Sequence, residues 1–162
     1  MTKRADILSP TRRHFLTGAG SAIGGLGAIR ILAVSPALAT PETLASAMRE
    51  VTQGATPKSG KIKLEIPPLV ENGNSVPLTV TVDSPLTEAD HVKSIYVFNE
   101  KNPQPHVAAF HLGPRAGRAS VTTRIRLAES QNVQVFAKMN DGSVFVARKS
   151  VTVTTGACAP GG

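Results

Sequence analysis

The sequence predicts an all-β protein: an immunoglobulin-like antiparallel β-sandwich, preceded by a short N-terminal helix and followed by a mobile C-terminal arm. Two observations carry that prediction. Between Ile62 and Val153 apolar residues recur at every second position in seven short runs, the period of a strand with one buried face. Clusters of Gly, Pro, Asn and Asp separate the runs at steady spacing, which is the pattern of a sandwich rather than of a βαβ fold.

A helix comes first. Thr40-Pro41-Glu42 reads as its start, with Thr40 as N-cap, Pro41 in the first turn and Glu42 near the positive end of the dipole. Leu44, Met48 and Val51 form one narrow apolar stripe, and Gly54 and Pro57 end the helix. Ile62, Leu64 and Ile66 alternate with charged residues until Pro67-Pro68 stop the first strand. Glu71 to Ser75 reads as a turn, after which Val76, Leu78, Val80 and Val82 alternate with polar positions. Val92–Phe98 and Val107–Leu112 are the next two strands, separated by the polar loop Asn99–Pro105. In Val121–Leu127 the arginines Arg124 and Arg126 share the outer face. Val133–Ala137 leads through Asn140-Asp141-Gly142, a strong hairpin signal, into Val144–Val153. The disulfide and tryptophan of antibody domains are absent, and the core is aliphatic with few aromatic residues.

Residues 1–39 read as an export signal. Lys3, Arg4, Arg12 and Arg13 precede Phe15-Leu16, forming a twin-arginine motif. The next stretch, Gly18 to Val34, is glycine-rich and interrupted by Arg30, too weakly apolar for a membrane anchor. Ala37-Leu38-Ala39 supplies a cleavage site. The predicted organisation is a signal over 1–39, helix and linker over 40–57, sandwich over 58–154 and arm over 155–162, in a periplasmic protein.

The net charge of +7 belongs largely to that signal, which holds five of the 18 basic residues and one of the 11 acidic ones. Residues 40–162 carry thirteen basic against ten acidic groups. No basic cluster with interleaved aromatics remains, which argues against a nucleic-acid partner. Catalytic signatures are sparse. There is no C-x-x-C, no phosphate loop and no nucleophile elbow. His91 is isolated. His106 and His111, five apart, are expected on opposite faces of one strand, a poor arrangement for shared metal ligation. Glu88 and Asp90 read as solvated loop charges. Arg115 and Arg118 flank Gly117, either as an anion-binding pair or as a solvated basic loop.

Cys158 is the only cysteine, four residues from the end. A lone thiol in an oxidising compartment points to intermolecular pairing or to a working sulfur. Its neighbours Gly156, Ala157, Ala159, Pro160, Gly161 and Gly162 offer no base or cation to favour the thiolate. Such a tail suits a passive carrier whose thiol is activated in another protein's site. The rival reading from these residues is a structural secreted domain with an interchain disulfide, and a third is a metal or redox module joining Cys158 to His106 or His111.

Three stretches, Val70-Glu71-Asn72-Gly73-Asn74-Ser75-Val76-Pro77-Leu78, Lys101-Asn102-Pro103-Gln104-Pro105 and His111-Leu112-Gly113-Pro114-Arg115-Ala116-Gly117, resemble the SoxY family of thiosulfate oxidation. The resemblance runs from about Ile62 to the end. It implies a sandwich that holds sulfur intermediates covalently on a cysteine in a C-terminal arm, with Cys158 as the attachment point and no cofactor of its own. It implies a heterodimer with a SoxZ-like subunit. It also implies processing by a c-type cytochrome, a sulfate-releasing hydrolase and a sulfane dehydrogenase. The family arm reads Gly-Gly-Cys-Gly-Gly; here Ala157, Ala159 and Pro160 depart from it, leaving a divergent carrier of another sulfur compound as the nearest alternative. Protein recovered from the periplasm is expected to begin at Thr40. Intact-mass measurement of the exported chain tests this, and a mass that retains residues 1–39 would overturn it.

Overall fold

Two sheets face each other across an aliphatic core in the computed structural model, which describes residues 40–157. The three-stranded sheet has the order β1 (Ile62–Glu65), β3 (Val76–Val82), β6 (Ser120–Ile125). The five-stranded sheet has the order β2 (Leu69–Asn72), β8 (Val144–Thr155), β7 (Gln131–Met139), β4 (Val92–Asn99), β5 (His106–His111). Alternation places Leu64, Val76, Leu78 and Val80 of one sheet against Ile95, Val97, Val133, Val135 and Val151 of the other, all buried in one cluster. The predicted fold class is observed.

Among the described residues eight strands form rather than seven. The additional one, β2, includes Glu71 and Asn72, which the sequence assigns to a turn. Pro67-Pro68 ends β1 as expected, but the chain then passes from one sheet to the other and resumes as β2 at the edge of the second. There it pairs parallel with β8, Val70 opposite Val153 and Asn72 opposite Thr155, so the sandwich is not wholly antiparallel. The turn itself is shorter, and the Asn72 side chain accepts from Asn74 N at 2.9 Å.

Helix α1 (Pro41–Thr52) starts as predicted. Thr40 Oγ1 accepts from Thr43 N, and Thr43 Oγ1 accepts from Thr40 N, a reciprocal cap with threonine in the place of the usual glutamate. The backbone N–H at the helix start and the Thr40 cap hold the Glu42 carboxyl below its ordinary pKa. Gln53 closes the helix in the left-handed conformation, and its side chain accepts from Lys138 Nζ at 2.6 Å. Leu44, Ala47, Met48 and Val51 lie along one face and cover Phe98, Phe136 and Val144 on the outside of the five-stranded sheet. The two rings meet edge to face, 5.7 Å apart.

The β7–β8 hairpin turns where expected. Gly142 takes a positive φ of 87°, and Asp141 accepts from both Ser143 N and Ser143 Oγ, which lowers its carboxyl pKa.

The histidine geometry differs from expectation. Val97 faces Ala108 while Phe98 faces His106, so Val107 is an extra residue in β5. A β-bulge of this kind reverses the alternation for what precedes it. His106 and His111 therefore share the outer face, with their rings 6.0 and 6.3 Å from the Tyr96 ring. His106 also stacks on Phe98 at 5.1 Å, and Ser94 Oγ lies 3.2 Å from His111 Nδ1.

Asn99 lies on the inner face in line with Ile95 and Val97, fully buried, and its side-chain amide has no partner among the described residues. A buried unpaired amide costs about 1–3 kcal/mol. Asn99→Leu is therefore expected to raise the melting temperature of the protein, and a fall measured by calorimetry would overturn that account.

Candidate functional site: the root of the C-terminal segment

The site is the place where β8 leaves the sandwich, immediately before Cys158. Three pieces of backbone meet there: the β2–β3 turn at Gly73, the β6–β7 connection at Leu127-Ala128, and the end of β8. Gly73 N donates to Thr155 O at 2.7 Å, Leu127 N donates to Gly73 O at 2.9 Å, and Ala157 N donates to Leu127 O at 3.0 Å. The three bonds close a loop of contacts in which each segment holds the next.

The approach is close enough to require glycine at two points. A Cβ on Gly73 would overlap Leu127 O and press on Ala157 N. A Cβ on Gly156 would overlap Ala128 O. Neither glycine has a positive φ, so each serves close approach rather than an unusual backbone conformation. Ser130 adds a further grip: its hydroxyl accepts from Val153 N at 2.9 Å and donates to Val153 O at 3.3 Å. On the opposite edge of β8, Thr154 Oγ1 donates to Glu71 O at 2.9 Å.

The β6–β7 connection is itself held by side-chain amides from the loop after β4. Asn102 Nδ2 donates to Arg126 O, and Asn102 Oδ1 accepts from Ala128 N and from Gln131 Nε2, all within 2.9 Å. Gln131, nearly fully buried, accepts from Glu100 N and Lys101 N and donates to Glu129 O. Glu100 in turn accepts from Asn132 Nδ2 and Gln134 Nε2. Two loops that lack secondary structure are thus joined into one platform under the end of β8 by side-chain hydrogen bonds. The exposed Lys101–Glu129 pair at 3.2 Å lies across the same two loops, where solvent leaves it little weight.

Of the residues singled out in the sequence, Gly156 and Ala157 lie in this root, packed and hydrogen-bonded. Thr155 belongs to β8, not to the arm. Cys158, Ala159, Pro160, Gly161 and Gly162 lie outside the described residues. His106 and His111 stand on the outer face of β4–β5. Arg115 and Arg118 sit on the exposed β5–β6 connection at the other end of the sandwich. There Arg118 borders a groove of about 820 Å³ with Lys61 and Lys63. Among the described residues no group of three or more His, Asp, Glu or Cys is arranged to hold a metal ion. Gly73, Asn102, Leu127, Ala128 and Gln131 carry no motif of their own, yet Gly73 and Asn102 fall inside two of the segments that carry the family resemblance.

A family profile described as sulfur oxidation protein SoxY matches residues 48–158, so the match ends on the cysteine. This chain belongs to the SoxY family. Among solved structures, the sulfur carrier protein SoxY from Chlorobium limicola f thiosulfatophilum is 28% identical with a TM-score of 0.60, the alignment covering 71% of this chain and 99% of that one. The superoxide reductase (neelaredoxin) from Ignicoccus hospitalis is 22% identical, TM-score 0.51, over 59% of this chain and 81% of that one. A putative superoxide reductase from Thermotoga maritima is likewise 22% identical, TM-score 0.52, over 61% and 93%. The likeness of these two chains shows the sandwich fold alone. No curated protein matches the chain.

Asn102→Ala removes three bonds from the platform and is expected to cost about 1–3 kcal/mol of stability. Urea denaturation measures the loss, and amide exchange should quicken at Ala128; unchanged exchange there would sink the assignment.

Proposed function

We propose that this SoxY-family chain is a periplasmic sulfur carrier that holds sulfur-oxidation intermediates covalently on Cys158 and presents them to partner enzymes. The observation that carries the reading is the coincidence of the family match with the last strand. The matched region ends at Cys158, and the strand leading to it is tied to the body up to Ala157. The 28% identity to a sulfur carrier protein over nearly all of that chain supports the same role.

The chemistry asks little of the carrier. Joining the Cys158 thiol to thiosulfate forms a sulfur–sulfur bond, releases one proton and yields two electrons, so the step needs an external oxidant. A c-type cytochrome partner fills that role. The product is an S-thiosulfonate bearing a terminal sulfonate. Hydrolysis by a second partner adds water to that group, releases sulfate and leaves a persulfide on Cys158. A sulfane dehydrogenase then has an outer sulfur to oxidise. Each partner supplies the reactive machinery, in keeping with a tail that holds no base or cation beside its thiol.

A SoxZ-like subunit completes the proposed assembly, and the twin-arginine motif over Arg12-Arg13 is the route of export. Among the described residues no helix is long and apolar enough to cross a membrane. Cys158→Ser is expected to abolish the mass adducts that thiosulfate and the partner enzymes produce on the wild-type chain. Adducts persisting in the variant by intact-mass spectrometry would end the proposal. So would a wild-type chain locked as a disulfide dimer indifferent to thiosulfate.

A further inference from the structure

β5 is an open edge of the five-stranded sheet, and it lacks the charges and prolines that keep such an edge from pairing with another chain. The other free edges are guarded. β1 carries Lys63 and Glu65, β2 carries Glu71 and follows Pro67-Pro68, and β6 carries Arg124. The run His106-Val107-Ala108-Ala109-Phe110-His111 contains no lysine, arginine, acid or proline. Leu112 N donates to Lys93 O. Strand alternation then turns the N–H and C=O of Phe110 and Ala108 toward β4 and leaves those of Ala109 and His111 at the free edge. The core is incompletely covered on this side: Val107, Phe110 and Val121 pack against it yet stay half-buried.

The bulge at Val107 gives this edge a symmetry. His106, Ala109 and His111 stand opposite Phe98, Tyr96 and Ser94, which are evenly spaced along β4. All three are exposed. The two histidines therefore flank Ala109 at matching distances, although one is three residues away in sequence and the other two. A two-fold axis normal to the sheet and passing through Ala109 reverses the strand while keeping its faces. It sets Ala109 against its own counterpart, Ala108 against Phe110, and His106 against His111. Small meets small at the axis, a ring meets a methyl on the core side, and imidazole meets imidazole on the outer side. No lysine, arginine or acid of β5 is brought against a like charge.

We propose that β5 is a self-pairing edge, on which a second copy of this chain adds its own β5 antiparallel about Ala109 and joins the two five-stranded sheets into one. The occupant is a second copy because the edge complements itself in side-chain size, in face and in the direction of its free backbone groups. Pairing adds hydrogen bonds but covers little area, so the association is reversible and concentration-dependent. It is independent of the carrier reading and uses no residue of the C-terminal segment.

Sedimentation equilibrium of the intact chain tests this, with a reductant present so that no disulfide through Cys158 contributes. The wild-type chain is expected to show a monomer–dimer equilibrium. Ala109→Lys and Ala109→Glu each place like charges across the axis and should raise the dissociation constant by about tenfold or more. An equimolar mixture of the two variants should recover the dimer as a mixed species, because residue 109 opposes itself. Leu69→Lys, on the opposite edge of the sheet, should leave the equilibrium unchanged. One readout needs no variant: amide exchange at Ala109 and His111 should slow as the wild-type concentration rises. A wild-type chain that stays monomeric up to its solubility limit overturns the proposal, as it would where the edge is reserved for a different subunit. So does a mixture that remains monomeric, a dimer broken by Leu69→Lys and not by Ala109→Lys, or exchange at Ala109 that is indifferent to concentration.

Discussion

The hydrogen bond from Ala157 N to Leu127 O is the point on which the rest of the site depends. It is a single backbone contact, worth little by itself in water. Its value lies in what holds its acceptor. Leu127 is buried, its own N–H is committed to Gly73 O, and the adjoining carbonyl and amide at Arg126 and Ala128 are committed to Asn102. A bond to such an acceptor has already had its ordering cost met by the fold. Thr155 is fixed from the other side by Gly73 N. The end of β8 is thus clasped between two sheet-crossing connections, and the polar side chains of a third loop keep the clasp in register.

Much of the fold is legible in the sequence because its elements obey local rules. The alternation of Val76, Leu78, Val80 and Val82 is a strand in any context that buries one face, and Thr40-Pro41-Glu42 caps a helix whatever the helix packs against. The elements that escape are those whose character is set by a distant partner. Leu69-Val70-Glu71-Asn72 carries two apolar residues and then turn formers. It becomes a strand because β8 offers it an edge, with Leu69 left largely exposed and only Val70 turned toward the core. The bulge at Val107 leaves no mark in the composition either. It depends on the register of β5 against β4, and one extra residue is enough to bring two histidines to the same side.

The site divides in the same way. Cys158 stands out in the sequence because it is unique and because small residues surround it. The root does not, since close approach of backbone to backbone is invisible until the approaching segments are known. Gly156 illustrates the difficulty: a glycine that must fit tightly and a glycine that must swing look alike in one dimension. Asn102 and Gln131 are common residue types in polar loops, and only their mutual placement, 29 positions apart and 2.8 Å between side chains, makes them a support. The segments that carry family resemblance do contain Gly73 and Asn102, so the pattern holds information whose physical meaning emerges only from the packing.

The parallel pairing of β2 with β8 bears on how the molecule is made. β8 is the last strand in chain order, yet it lies between β7 and β2 in the interior of its sheet. During synthesis β2 emerges early and has no neighbour on that side until β8 is complete. The larger sheet therefore cannot close progressively behind the ribosome. Its final act is the insertion of β8 between two waiting edges, and that same event sets Thr155, Gly156 and Ala157 against their supports. The seating of Thr155, Gly156 and Ala157 would thus report that every other strand of the sandwich was already in position.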